Sequence, residues 1–571
     1  MKDSVHQPTS PFRLGMIIFL VVLACAVLVW RAVDLHVFNK AFLQSQGDAR
    51  ALRVEPIIAH RGMITDRHGE PVAISTPVDS VWIQPETFLR NKQDLSALAK
   101  LLDLDVRKLN EKIQSRQSKE FVYIKRRINP ELAQELMTLE IPGVSLQREY
   151  RRYYPMGEVG AHVIGFNNVD DLGQEGLELA YNDWLQGASG SQRVIKDRLG
   201  RVINHLELIK EASPGKPLAL SLDRRLQYLA YRELKQSVFR HRARSGSAII
   251  LDSKSGEILA MVNQPSYNPN NRQNLKGSRY RNRAVTDTFE PGSSIKPFTV
   301  AAALESGQFS NRSVIDTAPG FYRVGQNTIR DFRNYGLINL AKVIQKSSNV
   351  GASKIALAIP GKSLWRVHNG IGFGMSTGSG YPGEVDGVLT HSSEWRQIDQ
   401  ATLAFGYGMS VTPLQLARAY SVLANDGVLL PISFLKQNDV VKGERVLKSA
   451  TVRQVRSMLE SVVTAEGTGF KARIAGYRVA GKTGTSKKTN TDGGYADDRY
   501  ISVFAGMAPA SDPRLVMVVM INEPRAEVYY GGDVAAPVFG RVMAGALRLM
   551  GIAPDQVNEH SVHLAAVGEP Q

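Results

Sequence analysis

A chain of 571 residues is too long for one ordinary domain, so the sequence predicts two or more globular units. The 70 basic and 54 acidic residues give a formal charge of +16, which favours anionic surroundings: nucleic acid, an anionic lipid face or an anionic polymer. The single cysteine, Cys25, excludes a disulfide framework, a zinc–cysteine site and a thiol nucleophile beyond the first 31 residues.

The first predicted element is an uncharged apolar helix near the N-terminus. The run Leu14–Trp30 would span about 26 Å as a helix, close to the thickness of a bilayer's hydrocarbon core, and Trp30 stands where interfacial aromatics are favoured. A cleaved signal peptide and a lipoprotein signal ending at Cys25 are alternatives. No small-x-small site follows the run, and the run continues past Cys25. We therefore expect a cytoplasmic tail over residues 1–13 and a transmembrane anchor over residues 14–31.

Two larger units are expected after the anchor. Residues 32–217 mix short strands and helices and end in a linker-like SPGKP, which predicts a domain boundary close to Pro217. From residue 218 to 552 the pattern is α+β. It begins with a helix from Arg224 and a hairpin over Ser247–Val262, and it ends with a helix over Val538–Gly551. Residues 553–571 are polar, lack periodicity and are expected to be disordered.

The stretch FEPGSSIKPFTVAAALESG holds the first candidate nucleophile. Proline is tolerated only in the first turn of a helix, so Pro297 predicts a helix that starts at about Ser293 or Ser294 and stops near Gly307. Ser293 would then lie at a helix N-terminus, which favours an oxyanion. Lys296 would lie on the same face, and a lysine whose pKa is lowered can take the serine's proton.

Ser-x-x-Lys alone is a weak pattern, because the chain contains it three times, and the other two copies lie in loops or linkers. Two further motifs strengthen it: Ser347-Ser348-Asn349, which starts 54 residues after Ser293, and Lys482-Thr483-Gly484, which starts 135 residues later. Ordered S-x-x-K, S-x-N and K-T-G motifs are the signature of penicillin-binding proteins and serine β-lactamases.

The chain as a whole resembles the class B penicillin-binding proteins, D,D-transpeptidases that cross-link peptidoglycan. Arg61–Gly69, Arg151–Phe166 and Gly173–Glu178 resemble motifs of that class's non-catalytic, dimerisation-type pedestal, and no glycosyltransferase pattern occurs between anchor and transpeptidase. FEPGSSIKPF resembles the division-specific enzymes of Gram-negative bacteria, particularly pseudomonads, although Ser294 stands where threonine is usual. The implied fold is a single anchor, an elongated α/β pedestal and a β-lactamase-like domain with an antiparallel sheet flanked by helices.

The resemblance also implies catalytic roles. Ser293 would attack the penultimate D-alanine of a stem peptide, and Lys296 is the expected base, although Lys482 could share that role. Ser347 would relay a proton to the leaving amine, and Asn349 would hold the substrate's amide. Lys482 would supply positive potential for the terminal carboxylate.

The third motif is expected to bind substrate through Thr483, Gly484 and Thr485, with both threonines donating to the terminal carboxylate. The backbone N–H groups of Ser293 and Thr485 would form the oxyanion hole. Four tyrosines are candidates for contacts around the cleft, with ordinary packing as the alternative: Tyr407, Tyr500, Tyr529 and Tyr530. The motifs imply no metal and no cofactor.

Other functions remain open. The same motifs occur in β-lactamases, but an anchor and pedestal argue against one, and 13 cytoplasmic residues leave no room for a β-lactam sensor's signalling module. An elongation-type transpeptidase and a divisome scaffold with weak activity are further alternatives. The expected partners are stem peptides ending in D-Ala-D-Ala, β-lactams, an FtsW-type glycosyltransferase and other divisome proteins. A protein anchored in the inner membrane with its domains in the periplasm meets no nucleic acid, despite the basic segment Ser278–Arg283.

Overall fold

A computed structural model describes residues 11–43, 45, 52–90, 94–196, 202–273, 277–490 and 493–556. The predicted cytoplasmic tail, up to residue 10, and the predicted C-terminal tail, from residue 557, lie outside the described residues. The described chain forms two compact units. The first comprises residues up to His60, Pro77–Arg151 and Gly187–Pro214, and the second comprises Arg61–Thr76, Arg152–Gln186 and the chain from Gly215. The predicted bounds of the domains stay a prediction.

The apolar run near the N-terminus is helical and fully exposed. An α-helix covers Pro11–Val33 and continues as a π-helical turn over Asp34–Phe38, so it extends beyond the predicted anchor at both ends. Among the described residues, Pro11–Phe38 is the one helix long and apolar enough to cross a membrane, with a mean hydropathy of 2.8. These features are compatible with a single-pass membrane protein.

The first unit contains an antiparallel sheet and a cluster of short helices. Its three-stranded sheet has the order Leu52–Ile57, Gly190–Lys196, Val202–Lys210. A separate core includes Val81, Phe88 and Leu98. The elements around that core are the strand Val122–Ile128, which pairs with residues 79–83, and the helices Pro85–Arg90, Leu95–Leu101, Val106–Gln114 and Pro130–Thr138.

The second unit is organised around a five-stranded antiparallel sheet. Its strands are β1 (Ser245–Asp252), β2 (Ile258–Gln264), β3 (Ala480–Thr489), β4 (Tyr495–Ala508) and β5 (Leu515–Asn522). Their order is β2-β1-β5-β4-β3, so the strand that carries the K-T-G motif forms an edge. The predicted hairpin is confirmed by the pairing of β1 with β2.

Helices cover both faces of this sheet, which confirms the predicted α+β domain. They are α1 (Arg224–Arg240), α2 (Lys296–Glu305), α3 (Leu340–Lys346), α4 (Asn349–Ala358), α5 (Gly361–Gly370), α6 (Pro413–Ala424), α7 (Ser449–Glu460) and α8 (Ala536–Leu549). Successive β1 residues enter different cores: Ile249 belongs to the cluster that includes α2 and α6, and Ile250 to the one that includes α1 and α8. Because both faces are covered, β1 is buried along its whole length, and its apolar residues Ala248–Leu251 run consecutively rather than alternating.

A buried ion triad lies within the second unit and joins the three motifs Arg61–Gly69, Arg151–Phe166 and Gly173–Glu178. The Glu178 carboxylate accepts from the Arg61 guanidinium at 2.6 Å and from the Arg152 guanidinium at 2.7 Å. At most 4% of each residue's surface is exposed. The triad thereby joins segments that are far apart in sequence. Removing any one of the three side chains would leave a buried charge without its partner.

His368 makes the stability of the second unit sensitive to acid. The ring is fully buried on α5, and neither ring nitrogen has a hydrogen-bond partner among the residues that the structure describes; burial lowers its pKa to about 4. The unfolded chain binds the proton near pH 6.5, so stability is lost as the pH falls below that value. Between pH 7.5 and 5 the loss should be about 2 kcal/mol. A His368→Phe variant should show a correspondingly smaller fall in melting temperature, measured on the full chain in detergent; equal falls would contradict this.

Candidate active site

The first motif forms a tight turn that leads into α2. Residues Gly292–Ile295 form a 3-10 turn and the α-helix begins at Lys296, with Pro297 in its first turn. The predicted effect of Pro297 is confirmed, but the start is 3-10 rather than α-helical. Ser293 is half-buried in this turn. The helix ends at Glu305, and Gly307 follows with φ of +73°, as expected of a stop.

Lys296 is completely buried and directed at the second motif. Its Nζ donates to the Ser347 carbonyl oxygen at 2.5 Å, to Asn349 Oδ1 at 2.7 Å and to Ser347 Oγ at 3.2 Å. Burial and the nearby charge of Lys482 hold the pKa of Lys296 well below its usual range, although Asp331 opposes this. The lowered pKa makes this ammonium give up a proton more readily than an exposed lysine, as a general base requires.

Lys482 reaches the same hydroxyl from the opposite motif. It lies on β3, fully buried, and its Nζ donates to Ser347 Oγ at 3.0 Å and to the Thr483 carbonyl oxygen at 3.1 Å. Burial lowers its pKa to about 7. Ser347 Oγ thus lies between two buried amines, and keeping both charged is costly in a buried site. The arrangement can accept and pass on a proton near neutral pH.

The second motif is held in a strained connection between two helices. α3 ends at Lys346, and Ser347 follows with φ 60° and ψ 41°, the left-handed region that non-glycine residues rarely adopt. Ser348 then caps α4, with its Oγ accepting from the Gly351 N–H at 2.8 Å. The geometry turns the Ser347 and Asn349 side chains toward the two lysines.

Asp331 stabilises this connection and was missed by the sequence analysis. Its carboxylate accepts from Ser348 Oγ at 2.5 Å and from the backbone N–H groups of Asn349 and Val350 at 2.5 and 3.0 Å. A carboxylate at a helix N-terminus is favoured by the orphan N–H groups and the helix dipole. No local pattern in DFRNYG indicates this role, because Asp331 contacts residues at the start of α4 that come later in the chain.

Replacing Asp331 with asparagine should lower the rate of active-site acylation by about 10- to 100-fold, because charge-assisted bonds that position Ser347 and Asn349 are lost. Removing the negative charge should also lower the pKa of Lys296 further, which moves the acid limb of the pH–rate profile to lower pH. A merely structural role would leave the profile in place. The exposed Asp316→Asn change is the matched control, and an unshifted profile would contradict the prediction.

The third motif packs directly against the turn that carries Ser293. A Cβ placed on Gly484 would lie 2.9 Å from the Pro291 carbonyl oxygen, and one on Gly292 would lie 3.3 Å from the Thr485 carbonyl oxygen. Gly484 is therefore required for the close approach of the two backbones. The predicted oxyanion-hole residues, Ser293 and Thr485, lie in these two segments, and their role stays a prediction.

The two motif threonines are anchored differently. Thr483 Oγ shares a hydrogen bond of 2.7 Å with Thr468 Oγ, and Thr485 Oγ accepts from the Gly531 N–H at 3.0 Å. Thr483 is buried, whereas Thr485 is partly exposed. The Thr485 hydroxyl proton is thus left available for a ligand's carboxylate.

Three of the four candidate tyrosines form one cluster. Tyr500 and Tyr529 stack with their ring centroids 3.9 Å apart, and the Tyr529 hydroxyl donates to that of Tyr530 at 3.3 Å. Tyr407 packs edge-on against Tyr495 instead, with centroids 5.3 Å apart. Their contacts with a substrate stay a prediction.

Comparison with known proteins matches both parts of the chain. The family model of the penicillin-binding protein transpeptidase domain matches residues 246–544, and that of the penicillin-binding protein dimerisation domain matches residues 56–220. The peptidoglycan D,D-transpeptidase FtsI of Escherichia coli K12 is 45% identical over 559 residues, covering 97% of this chain and 94% of that protein. The probable peptidoglycan D,D-transpeptidase PbpC of Pseudomonas aeruginosa PAO1 is 43% identical over 548 residues, covering 96% and 97%.

Two solved structures each cover 59% of this chain. The apo transpeptidase domain of Burkholderia pseudomallei penicillin-binding protein 3 superposes with a TM-score of 0.55 at 40% sequence identity, covering 59% of this chain and 98% of that one. A structure titled as a peptidoglycan glycosyltransferase from Burkholderia ambifaria superposes with a TM-score of 0.53 at 38% identity, covering 59% and 99%.

Proposed function

This chain belongs to the class B penicillin-binding proteins, and from that premise we propose how its residues carry out the reaction. It is a septal peptidoglycan D,D-transpeptidase of the cell-division type, which works through an acyl-serine and is acylated by β-lactams. The observation that carries the assignment of roles is the buried chain of hydrogen bonds from Lys296 through Ser347 to Lys482.

In the first half-reaction, Ser293 Oγ attacks the carbonyl carbon of the penultimate D-alanine and gives up its proton to Lys296. Lys296 can accept it because burial and Lys482 keep its pKa low. The oxyanion is stabilised by the backbone N–H groups of Ser293 and Thr485. The C–N bond to the last D-alanine then breaks, and the carbonyl carbon stays bound to Ser293.

The leaving amine needs a proton, and Ser347 is placed to deliver it. Its hydroxyl contacts both lysines, so a proton taken by Lys296 can pass through Ser347 Oγ to the departing nitrogen. Lys482, with a pKa of about 7, supplies positive charge toward the terminal carboxylate of the substrate, while Thr483 and Thr485 donate to that carboxylate. Asn349 holds the peptide amide. In the second half-reaction a second strand's amine attacks the acyl-serine and the same groups act in reverse.

The experiment is a time course of intact mass after benzylpenicillin is added to the full-length chain in detergent. A transpeptidase should gain the mass of one penicillin and keep it for many minutes, because water deacylates the serine slowly. An adduct that vanishes within seconds while the drug is consumed would indicate a β-lactamase. No adduct at all would exclude both the transpeptidase and the β-lactamase and would leave the divisome scaffold as the function.

We also propose a membrane topology on the basis of the apolar helix. The helix Pro11–Phe38 anchors the chain in the inner membrane with the domains on the periplasmic side, where the substrate is, and the same helix is a natural contact for an FtsW-type glycosyltransferase. Protease added to spheroplasts should remove the domains and leave a short membrane-protected fragment. A full-length band that resists protease until the membrane is lysed would exclude this orientation.

A further inference from the structure

A cavity of about 590 Å³ opens beside α3. Its wall is formed by the segment from Arg333 to Asn339, by Val314, and by the lysines of α3, Lys342 and Lys346. Val314 and Leu337 lie on two short paired strands, Val314–Asp316 and Leu337–Asn339. The mechanism proposed above uses no residue of this wall.

The charge of the cavity is positive. Lys342 Nζ pairs with Glu466 Oε2 at 3.0 Å, and Lys346 Nζ lies 3.9 Å from the same oxygen. Arg333 lies over the Tyr335 ring, 5.4 Å from its centroid, and makes no ion pair in the described part of the chain. The two lysines thus share one carboxylate and Arg333 adds a third positive charge, which leaves the site able to bind anionic groups.

The same wall exposes apolar side chains between the cations. Leu337 is 74% exposed and Val314 is 61% exposed. Large apolar side chains at this exposure, next to an excess of cations, suit a ligand that carries methyl groups and carboxylates together. A short peptide rich in alanine and free carboxyl groups has this chemistry.

Two structural connections join the cavity to the active site. Lys342 lies five residues before Ser347 on the helix that runs into it, a rise of about 8 Å, or two to three residues of extended peptide. Lys346 Nζ also donates to the Glu466 carbonyl oxygen at 2.7 Å, and Thr468, two residues further on, hydrogen-bonds to Thr483.

We propose that this cavity binds the carboxylate-bearing stem peptide of the second peptidoglycan strand, the one whose amine attacks the acyl-serine. The inference rests on the proposed function. The first strand's carboxylate is accounted for by Lys482 and the K-T-G threonines, and its peptide is bonded to Ser293. A second anionic strand therefore needs its own cationic site, and Arg333, Lys342 and Lys346 provide one within reach.

The test blocks the first site and measures binding at the second. Full-length protein in detergent is acylated completely with benzylpenicillin, and the adduct is verified by mass. A fluorescent muramyl tetrapeptide is then titrated, with fluorescence anisotropy as the readout. We expect saturable binding that weakens as salt rises. Failure to form the adduct would count against the proposed function, whereas a normal adduct without peptide binding would overturn only this inference.

Arg333→Glu is the informative variant, because Arg333 has no carboxylate partner to lose. Reversing its charge should weaken binding of the tetrapeptide by about tenfold. Arg323→Glu makes the same charge change on the neighbouring strand Phe321–Val324, outside the cavity, and should bind within about twofold of the unaltered chain. Equal affinities of the two variants would overturn the proposal, as would undiminished binding of a tetrapeptide whose carboxylates have been amidated.

Discussion

Replacing Ser293 with alanine is expected to abolish covalent labelling by benzylpenicillin and cross-linking of peptidoglycan, a loss of about 10⁶-fold in acylation rate. Ser293 is the hydroxyl expected to form the ester, because those of Ser347 and Thr483 are already hydrogen-bonded to Lys482 and Thr468. The measurement is the intact mass after prolonged exposure to the drug.

Ser294→Ala is the matched control for this change. The Ser294 hydroxyl lies in the same turn, is completely buried and donates to the Pro291 carbonyl oxygen at 2.7 Å. Its removal should cost about 1 kcal/mol of stability and leave the protein able to form the adduct. A penicillin adduct on the Ser293→Ala protein would show that another residue is the nucleophile.

Replacing Lys296 with methionine should slow acylation by about 10³- to 10⁴-fold, the upper part of the range for a general base that is lost. Methionine has a similar length and no charge, so the buried site is not left with an unpaired cation. The readout is the second-order rate constant for benzylpenicillin, followed by stopped-flow fluorescence or quenched mass spectrometry.

The Lys482→Met variant distinguishes the two candidate bases. The charge of Lys482 helps to lower the pKa of Lys296, so without it that pKa rises and more of Lys296 is protonated at neutral pH. If Lys296 is the base, the acid limb of the pH–rate profile should therefore move to higher pH. If Lys482 were the base, the limb would disappear instead, and the Lys296→Met protein would keep most of its rate.

The sequence analysis located the three motifs that the structure brings together because it combined their chemical pattern with local conformational requirements. Pro297, for example, marks the start of α2 and so places Ser293 and Lys296 in the turn before it and in its first turn. The role of Asp331 could not be predicted, because its contacts with α4 depend on the path of the intervening chain. The same holds for Glu178, whose two arginine partners come from segments 117 and 26 residues earlier in the sequence.

The division into compact units could not be predicted from the sequence either, because each unit is built from segments that are not contiguous. Residues Arg61–Thr76 and Arg152–Gln186 belong to the same unit as the chain from Gly215, although both precede the linker-like SPGKP. Composition and turn residues mark where a chain bends, but they do not record which distant segment it packs against.

The left-handed backbone at Ser347 limits how this enzyme can escape β-lactams by mutation. A hydroxyl at position 347 can come from serine or threonine, but threonine is β-branched and is strongly disfavoured at a φ of 60°. Glycine and asparagine accept that backbone and lack the hydroxyl. Resistant variants are therefore expected to carry their substitutions elsewhere around the cleft, since every exchange at this position gives up either the proton relay or the fold of the loop that holds it.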